Sequence, residues 1–563
     1  MIIVILSWIY YFFLCGFIGI GLKKILTTVL KRDWEFQGID YLITGIVGIT
    51  VYASFASIIT KVGMLVHLVL LLVAAFSGLL CKREIKEWLP KAKKLMFSWE
   101  GFFYLCFILL IAFFTSRGKF HTDTNIYHAQ NIRLYEEYGI IKGMANLQLH
   151  YGYNSLYLAF AAIMSLSWLL PWSLHTTTGF IEVILCIYAF HHLRTFKERN
   201  CHLEDAGCVV ILFYALVNVT GSISPATDYP TMFFSIYMIS VWMRAMERKS
   251  HYSVYALLAV FSVFLGVLKL SAIAMAAVVI YPAFFLVKEK KWREIGVYLG
   301  LGILILTPYL IRNVILSGWL IYPLEVIDLF QVDWKVPLEY LLVDSHQIKV
   351  WGRCLYDVNL IDLQVKEWLP IWWEGQERYD QMLMGANVLG LFLAFLNLIY
   401  KTAKKIEVRI ELIVLYIGMI ASALVWFFMA PFIRYGLAFL LTLPLISMAS
   451  WYDYKKKGLH SIITGSVVVC MFFCFSPYVD NYVTDDGVFI KQNLFEPYYV
   501  IPKDYDVGGT ESMMIKGNVI YYNAPEHGEG EINSYHYFPN TAYKFMLERS
   551  TLVSEDIKDG FEP

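Results

Sequence analysis

Residues 2–22 read IIVILSWIYYFFLCGFIGIGL and contain no charged side chain. A helix of about 20 apolar residues is long enough to cross the hydrocarbon core of a bilayer. The run has no basic segment before it and no small-residue cleavage site after it, which disfavours a secretory signal peptide. It therefore predicts a first transmembrane span.

The overall composition agrees with this first run. Apolar residues make up 58% of the 563 residues, and charged residues make up 16%. Soluble proteins carry about 25% charged residues, so this chain lacks the charged surface that contact with water requires. Since lipid can replace water around apolar side chains, we expect a membrane protein.

Apolar stretches of similar length recur along the chain, as is typical of membrane-spanning helices. Together with the first run they predict about fourteen spans and hence an all-α polytopic membrane protein. The predicted spans are 2–22, 38–60, 62–81, 98–116, 173–193, 206–224, 229–247, 252–268, 270–287, 295–311, 385–400, 410–429, 433–450 and 459–477.

Lysine and arginine gather in short segments between these spans. The basic segments are 23–32, 82–94, 194–199, 244–249, 288–293, 401–409 and 455–457. With fourteen spans all of them fall on one side of the membrane, and basic loops favour the cytoplasmic side. Both termini and three longer segments, 117–152, 312–384 and 478–563, are then predicted to lie outside.

This count requires that the apolar stretch Tyr153–Leu170 does not cross the membrane. Pro171 and Trp172 close the stretch, and its aromatic residues suit the headgroup region. A further span here would move the later basic segments to the outer side. We therefore predict a re-entrant or interfacial helix.

The sequence disfavours several other classes of protein. Lysine plus arginine equals aspartate plus glutamate at 46 each, and no basic stripe indicates a nucleic-acid partner. The nine cysteines are scattered without a CxxC pair, so neither a disulfide framework nor a structural zinc site is expected. The basic segments hold no phosphate-binding loop, which disfavours an ATP-driven pump or a nucleotide-sugar enzyme.

Polar residues concentrate in the first outer segment, where residues 121–133 read HTDTNIYHAQNIR. Asp123 has two readings, either a cap for the helix that follows or a member of a chemical site. A second acid, Asp228, stands in the stretch SPATDYP at the outer start of another span. Two acids at the same boundary favour a shared site over two isolated caps.

Three cations complete the candidate set. Lys269 interrupts the apolar run FLGVLKLSAIAM, and ionisable groups at such depth usually face a cavity or a partner. Arg312, followed by Asn313, is predicted just outside a span, and Arg434 begins a later span in APFIRYG. Outer basic residues oppose the positive-inside trend. They either anchor to lipid phosphate or gather around one bound phosphate, which arginine grips bidentately.

These positions resemble the GT-C superfamily of polytopic membrane glycosyltransferases. In that family an acid in the first large outer loop precedes an interfacial helix, a second acid before a proline, and a lysine in a helical hairpin. A basic segment then introduces a large insertion. The matching stretches are HTDTNIYH, YGYNSLYLAFAAIMSLSW, TDYP, LGVLKLSAIAM and RNVILSGWLIYP, and APFIRYG is similar to a later outer segment of some bacterial members.

The resemblance covers residues 98–450 and departs from the family in three places. The interfacial helix lacks a His-Pro-Pro-Leu start, no Asp-x-Asp pair surrounds Asp123, and three additional spans precede the usual first one. We therefore divide the chain into additional spans at 1–97, a GT-C-like core at 98–477 and a small mixed outer tail at 478–563. The outer insertion of the core is predicted at 312–384.

The resemblance implies transfer of a sugar from a polyprenyl-phosphate-linked donor to a glycan, lipid or protein acceptor by one inverting displacement. Asp123 would be the general base for the acceptor hydroxyl, which contributes roughly 10²–10⁴-fold. Lys269, Arg312 and Arg434 would stabilise the departing lipid phosphate, and Asp228 would bind acceptor hydroxyls or orient a cation. The remaining substrate-binding candidates are Tyr127, His128, Arg133, Asn154 and Asn313.

No resident metal is predicted, and the alternative is a divalent cation held by His121, Asp123 and His128. The expected location is a bacterial inner membrane with the site facing outside. Two rival functions stay open. A lipid-linked oligosaccharide flippase predicts charged residues at the bilayer midplane, whereas an O-antigen-type polysaccharide polymerase is usually rich in outer arginines.

Overall fold

The computed structural model describes the chain as a bundle of helices with a small mixed segment near its end. The described residues are 1–117, 121–194, 202–451, 509–524 and 532–563. The predicted span 459–477 and the predicted tail up to residue 508 lie outside these described residues.

The helices follow the predicted spans closely. The first nine are α1 (Ile2–Leu30), α2 (Gly38–Ile59), α3 (Met64–Leu80), α4 (Lys82–Met96), α5 (Trp99–Arg117), α6 (Ala129–Glu137), α7 (Met144–Leu147), α8 (Leu156–Met164) and α9 (Thr177–Arg194). They continue with α10 (His202–Asn218), α11 (Asp228–Glu247), α12 (Tyr252–Leu268), α13 (Ile280–Lys288), α14 (Trp292–Ser317), α15 (Leu338–Gly352), α16 (Val365–Glu374), α17 (Arg378–Ala403), α18 (Ile410–Met429), α19 (Ile433–Ala449) and α20 (Lys544–Arg549).

Eight helical stretches of the described residues are long and apolar enough to cross a bilayer. Four more apolar helices, α3, α9, α12 and α19, are slightly shorter. Several long helices expose large apolar side chains, as α17 does along most of its length. The chain is thus a multi-pass helical membrane protein, which confirms the predicted fold class at this level.

Small residues let the first two helices approach closely. A Cβ atom added to Gly19 would lie 1.8 Å from the carbonyl oxygen of Tyr41, and one added to Gly45 would lie 1.9 Å from that of Cys15. Glycine at such contacts is a common way for membrane helices to pack. Helix α2 then packs on α8 and α14, so the first 97 residues join the same bundle as the rest.

The basic segments within the described residues, 23–32, 82–94, 244–249, 288–293 and 401–409, lie at one end of the bundle. Lys24, near the end of α1, donates a hydrogen bond to the carbonyl of Leu80, the last residue of α3. The Arg293 guanidinium donates to the carbonyl of Val29, and Arg409 donates to that of Met246. These contacts support the prediction that these five basic segments share one side.

The stretch predicted not to cross the membrane holds only a nine-residue helix, α8. At 1.5 Å per residue it is about 14 Å long, roughly half of a hydrocarbon core. All nine residues of α8 are buried. The helix is therefore packed inside the protein and not on its outer surface, where the interfacial alternative would place it, and it is too short to cross the membrane by itself.

Two segments cover the end of the bundle opposite the basic loops. Helix α14 continues to Ser317 and Gly318 ends it with a positive φ of 78°, so the insertion begins after 317 and not at 312 as predicted. Within the insertion, α15 and α16 pack on the turn between α18 and α19, where the Trp372 indole donates to the carbonyl of Pro431.

The second segment is the C-terminal one, residues 509–524 and 532–563, which folds as small sheets and one short helix. Strands β1 (Thr510–Ile515) and β2 (Asn518–Asn523) pair antiparallel, and β3 (Asn540–Thr541) runs parallel to β2. After α20, β4 (Thr551–Leu552) pairs with β5 (Phe561–Glu562). The segment docks on the loop between α5 and α8, since Phe561 donates its amide to the Lys142 carbonyl.

Candidate functional site

Four charged side chains that the sequence singled out converge at the covered end of the bundle. Arg434 Nη2 lies 3.2 Å from Asp123 Oδ2, and Arg434 Nε lies 3.6 Å from Asp228 Oδ2. Lys269 Nζ donates to Asp228 Oδ1. We call Asp123, Asp228, Lys269 and Arg434 the ion-pair site. Its two acids come from different loops, and one arginine bridges them.

Helix ends fix the buried pair of this site. Asp228 is the first residue of α11, where the positive end of the helix dipole favours a carboxylate, and Pro230 suits the first turn. Lys269 has an extended backbone between α12 and a 3₁₀ helix, Leu270–Val279. A 3₁₀ run of ten residues is uncommon. It breaks the hairpin at the level of Asp228, so the lysine reaches the acid directly.

A π-helical turn carries the other acid. Asp123 directly precedes the π turn Thr124–His128, which leads into α6. Such turns are rare and occur often at functional sites. Arg434 lies in the first turn of α19, and its side chain is 38% exposed against 17% for Asp123. The site is therefore open on the arginine side and closed on the Asp228 side, where that side chain is 5% exposed.

His121 links the two acids. Its Nδ1 accepts a hydrogen bond of 3.1 Å from the Asp123 backbone amide, which assigns the ring proton to Nε2. Nε2 lies 3.8 Å from Asp228 Oδ2. Burial lowers the pKa of His121, so the neutral ring serves as a polar wall between the carboxylates.

The electrostatics keep Asp123 ionised. Burial by itself raises the pKa of this carboxyl, but the Arg434 charge, with smaller effects of His121 and His128, lowers it to about 2. A group of that pKa carries its negative charge throughout the physiological range. Asp123 can therefore accept a proton, although its pairing with Arg434 makes it a weak base.

Tyr435 belongs to the site and was missed by the sequence reasoning. Lys269 Nζ lies 3.6 Å from the centre of the Tyr435 ring, a cation–π contact. Arg434 Nη2 lies 3.2 Å from the Tyr435 hydroxyl. The only hint in the sequence is its position next to Arg434.

Arg312 does not share the phosphate cluster predicted for it. It lies inside α14 and is fully buried, with Nε donating to Asn154 Oδ1 at 2.9 Å and Nη1 donating to Ser57 Oγ at 2.5 Å. Its guanidinium also rests on the Tyr135 ring. The Asn313 amide donates to the Leu320 carbonyl. These residues fasten the end of α14 to its neighbours, so the predicted roles of Arg312, Asn313 and Asn154 in substrate binding gain no support from their contacts.

The other candidates of the first outer segment lie either next to the ion-pair site or against the C-terminal segment. Tyr127 and His128 are buried next to the ion-pair site, with the His128 and His121 ring centres 6.5 Å apart. The Tyr127 ring contacts Tyr153 edge-on. Arg133 points elsewhere: it pairs with Glu137 and lies over the Phe538 ring at 4.5 Å, so it holds the C-terminal segment.

The C-terminal segment also braces the π turn itself. The Asn533 amide nitrogen of the backbone donates to the Asn125 carbonyl at 2.9 Å, and its side-chain amide donates to the Ile126 carbonyl at 2.8 Å. The Gln130 side chain donates to the carbonyls of both Asn533 and Asn125. A π turn leaves carbonyls without regular helical partners, and Asn533 supplies partners for two of them.

We expect Asn533→Asp to loosen this turn. The carboxylate cannot donate to the Ile126 carbonyl, and losing a buried hydrogen bond costs about 1–3 kcal/mol. Amide hydrogen exchange within residues 124–137 should become roughly tenfold faster or more. Asn518→Asp is the control, because Asn518 is bonded to the Lys516 and Glu555 carbonyls away from the turn. Equal exchange rates in both variants would contradict the bracing role.

Glu136 gives the supporting loop a dependence on pH. Burial raises the pKa of this carboxyl to about 7, and it accepts a hydrogen bond of 2.6 Å from Ser173. A folded pKa above the unfolded value of 4.5 stabilises the fold below pH 4.5, and this stabilisation is lost as the pH rises through 7. The contribution of Glu136 to the free energy of unfolding therefore falls by about 3 kcal/mol between pH 4 and pH 8.

Glu136→Gln should remove this loss. We expect the variant to melt near the wild-type temperature at pH 5 and several degrees above it at pH 8, measured by thermal unfolding in detergent. Glu555→Gln, an exposed change in the C-terminal segment, is the control. A wild-type advantage at pH 8 would show that the folded protein stabilises the ionised carboxylate, which would contradict the raised pKa of Glu136.

One imidazole and two carboxylates of the site could reach a common cation. His121, Asp123 and Asp228 each offer a ligand atom, and these atoms lie within 4.8 Å of one another. His128 of the predicted alternative is replaced by Asp228 in this set. However, Lys269 and Arg434 already neutralise both carboxylates, so a divalent ion would bring two further charges against two existing cations. The three ligand atoms fit a cation only if the Lys269 and Arg434 side chains move away from the carboxylates.

Fold and site together define a multi-pass helical membrane protein with a partly buried ion-pair site at one end of its bundle. Residues 1–441 match the family described as Domain of unknown function (DUF8201), and the chain belongs to that family. No curated protein and no solved structure matches the chain. The family match includes all four residues of the ion-pair site, whereas the bracing C-terminal segment lies beyond it.

Proposed function

We propose that this protein is a membrane glycosyltransferase that moves a sugar from a polyprenyl-phosphate-linked donor to an acceptor outside the membrane. The observation that carries the proposal is the ion-pair site, in which Arg434 lies between two acids and remains 38% exposed. It offers one ionised acid for a proton and two cations for a phosphate. The resemblance to GT-C enzymes supports the same assignment.

The reaction is one displacement at the anomeric carbon of the donor sugar. Asp123 takes the proton of the acceptor hydroxyl as that oxygen bonds to the carbon. The bond from the carbon to the phosphate oxygen breaks, and its electron pair leaves with the lipid phosphate. Lys269 and Arg434 stabilise this negative charge, and the buried Asp228 holds Lys269 in position.

Donor binding would also change Asp123. In the free site, Arg434 holds the pKa of Asp123 near 2, which is low for a general base. A donor phosphate competes for the same guanidinium through bidentate hydrogen bonds. When Arg434 turns to the phosphate, burial raises the basicity of Asp123. The base is then strengthened only when the leaving group is in place.

The position of the site favours a lipid-linked donor. Asp228 and Arg244 lie near opposite ends of α11, a 20-residue helix about 30 Å long. This length matches the hydrocarbon core, so the site and the basic loops would face opposite sides of the membrane. With the basic loops in the cytoplasm, the site faces outside, where no nucleotide sugars are supplied. A bacterial inner membrane fits this orientation.

A lipid-linked oligosaccharide flippase is the second candidate, because it too would use cationic side chains that grip a phosphate. Charges along its path would be expected near the bilayer midplane, whereas α11 carries its charged residues at its two ends. An O-antigen-type polymerase is the enzyme rival, since it would also act on lipid-linked sugars outside. The ion-pair site favours chemistry at the outer boundary over passage through the bundle.

The test is transfer in membranes. Membranes containing the wild-type chain are incubated with radiolabelled polyprenyl-linked sugars extracted from cells, and labelled acceptor is separated from labelled lipid. The proposal expects label in the acceptor that depends on the protein. Movement of intact donor between leaflets without transfer would overturn it in favour of a flippase, and joined repeat units on one lipid would favour a polymerase.

A further inference from the structure

Five of the six basic residues of helix α4 fall on one face of the helix. The exposed residues of this face are Lys82, Arg83, Lys86, Lys93 and Lys94. At 3.6 residues per turn they project within an arc of about 120°. Ile85, Leu95 and Met96 project from the other side of the helix. The pattern is that of a basic amphipathic helix, which lies in the plane of a membrane surface.

A groove of about 410 Å³ lies where α4 leads into α5. Its walls are mainly apolar and include Leu95, Phe102 and Leu105. Phe97 and Trp99 next to it are both 79% exposed. Tryptophan with one open face is typical of the boundary between lipid chains and headgroups. The groove therefore opens to lipid at the depth where a headgroup meets its chains.

Helix α4 also lies at the basic end of the bundle. It joins the ends of α3 and α5, and the Lys24 side chain is hydrogen-bonded to Leu80 just before it. The ion-pair site lies near the other end of the membrane-spanning helices, so the groove is separate from it. An occupant of the groove would meet apolar walls below and a concentrated positive charge above.

We propose that this groove binds one anionic phospholipid of the surrounding leaflet. An acyl chain lies along Phe102 and Leu105, and the headgroup phosphate is held by Lys93 and Lys94, which directly precede the groove residue Leu95. The charge of the basic face favours an anionic over a zwitterionic headgroup, since each lysine near an anionic surface strengthens binding severalfold. The lipid would fix α4 on the membrane surface. This inference does not depend on the proposed enzyme activity.

The test uses the full-length protein purified in detergent and native mass spectrometry with added phosphatidylglycerol or phosphatidylcholine. The wild type should retain one phosphatidylglycerol in preference to phosphatidylcholine, and salt should weaken this retention. Lys93→Gln with Lys94→Gln should weaken it on the order of tenfold or more. The control is Lys290→Gln with Lys291→Gln, two exposed lysines of another basic loop.

A third variant, Leu105→Trp, fills the groove and keeps every charge. It should also reduce retention of phosphatidylglycerol if an acyl chain lies there. Equal loss in the two lysine variants would overturn the site in favour of general charge attraction. Equal retention of the two lipids, or undiminished binding to Leu105→Trp, would equally overturn it and leave a protein partner as the occupant to seek. If the lysine variant does not fold, the salt dependence and the Leu105 variant decide.

Discussion

Asp123→Asn is expected to abolish sugar transfer while leaving the protein folded. A general base contributes roughly 10²–10⁴-fold, and the amide cannot take the proton of the acceptor hydroxyl. The fold should survive because Arg434 keeps Asp228 as a partner at 3.6 Å. Transfer from the polyprenyl-linked donor in membranes should therefore fall by at least 100-fold at equal protein level.

Two controls make this result specific. Asp362→Asn changes an exposed acid of the outer insertion and should transfer at the wild-type rate. Donor binding by Asp123→Asn, measured as retention of labelled donor without acceptor, should be at least as tight as in the wild type. This follows because the variant frees Arg434 for the phosphate. Undiminished transfer would show that Asp123 is not a catalytic residue. Loss of donor binding would show that Asp123 instead contributes to binding the donor before the reaction.

The four residues of the ion-pair site could be predicted because each breaks a local rule. Asp123 and Asp228 stand at span boundaries, Lys269 interrupts an apolar run, and Arg434 lies on the side where basic residues are scarce. Such residues are costly in a membrane protein unless they have partners. Opposite charges at the same depth therefore indicate each other, even when more than 300 residues separate them.

Arg312 is also a basic residue on the side where basic residues are scarce, but its predicted place in the phosphate cluster is not supported by its contacts. Its hydropathy indicates the end of a span, but α14 continues to Ser317 because Asn154 and Ser57 hydrogen-bond the buried guanidinium. Those partners come from another loop and from α2, and no pattern in the sequence around Arg312 predicts them. A buried cation can thus be satisfied by neutral groups, and charge alone does not show which cluster it joins.

The bracing of the π turn by Asn533 could not be predicted either. Asn533 follows the π turn by some 400 residues, in a segment whose composition indicates only turns and loops. The need for it arises from carbonyls that a π turn leaves without helical partners, and π turns have no periodic sequence pattern. Sequence reasoning found the four charged residues of the ion-pair site, whereas the elements that position them required the fold.

Lys269→Met is expected to destabilise the protein strongly. It leaves the Asp228 carboxylate, 5% exposed, without its nearest cation. Breaking a buried ion pair from one side costs about 3–5 kcal/mol, and the lower value applies here because Arg434 stays 3.6 Å from the acid. The melting temperature in detergent should fall by several degrees or more, and sugar transfer should be lost with the phosphate ligand.

The double variant Asp228→Asn with Lys269→Met separates charge from packing. With both charges removed, no buried ion is left without a partner, so most of the lost stability should return while transfer stays absent. Lys335→Met is a matched control. Lys335 also contacts a ring, that of Trp319, and also pairs with an aspartate, but its partner Asp328 is 43% exposed. Lys335→Met should lower the free energy of unfolding by at most about 1 kcal/mol. A double variant less stable than Lys269→Met would mean that Asp228 is already compensated by Arg434 and His121, and that Lys269 is held in place for the phosphate alone.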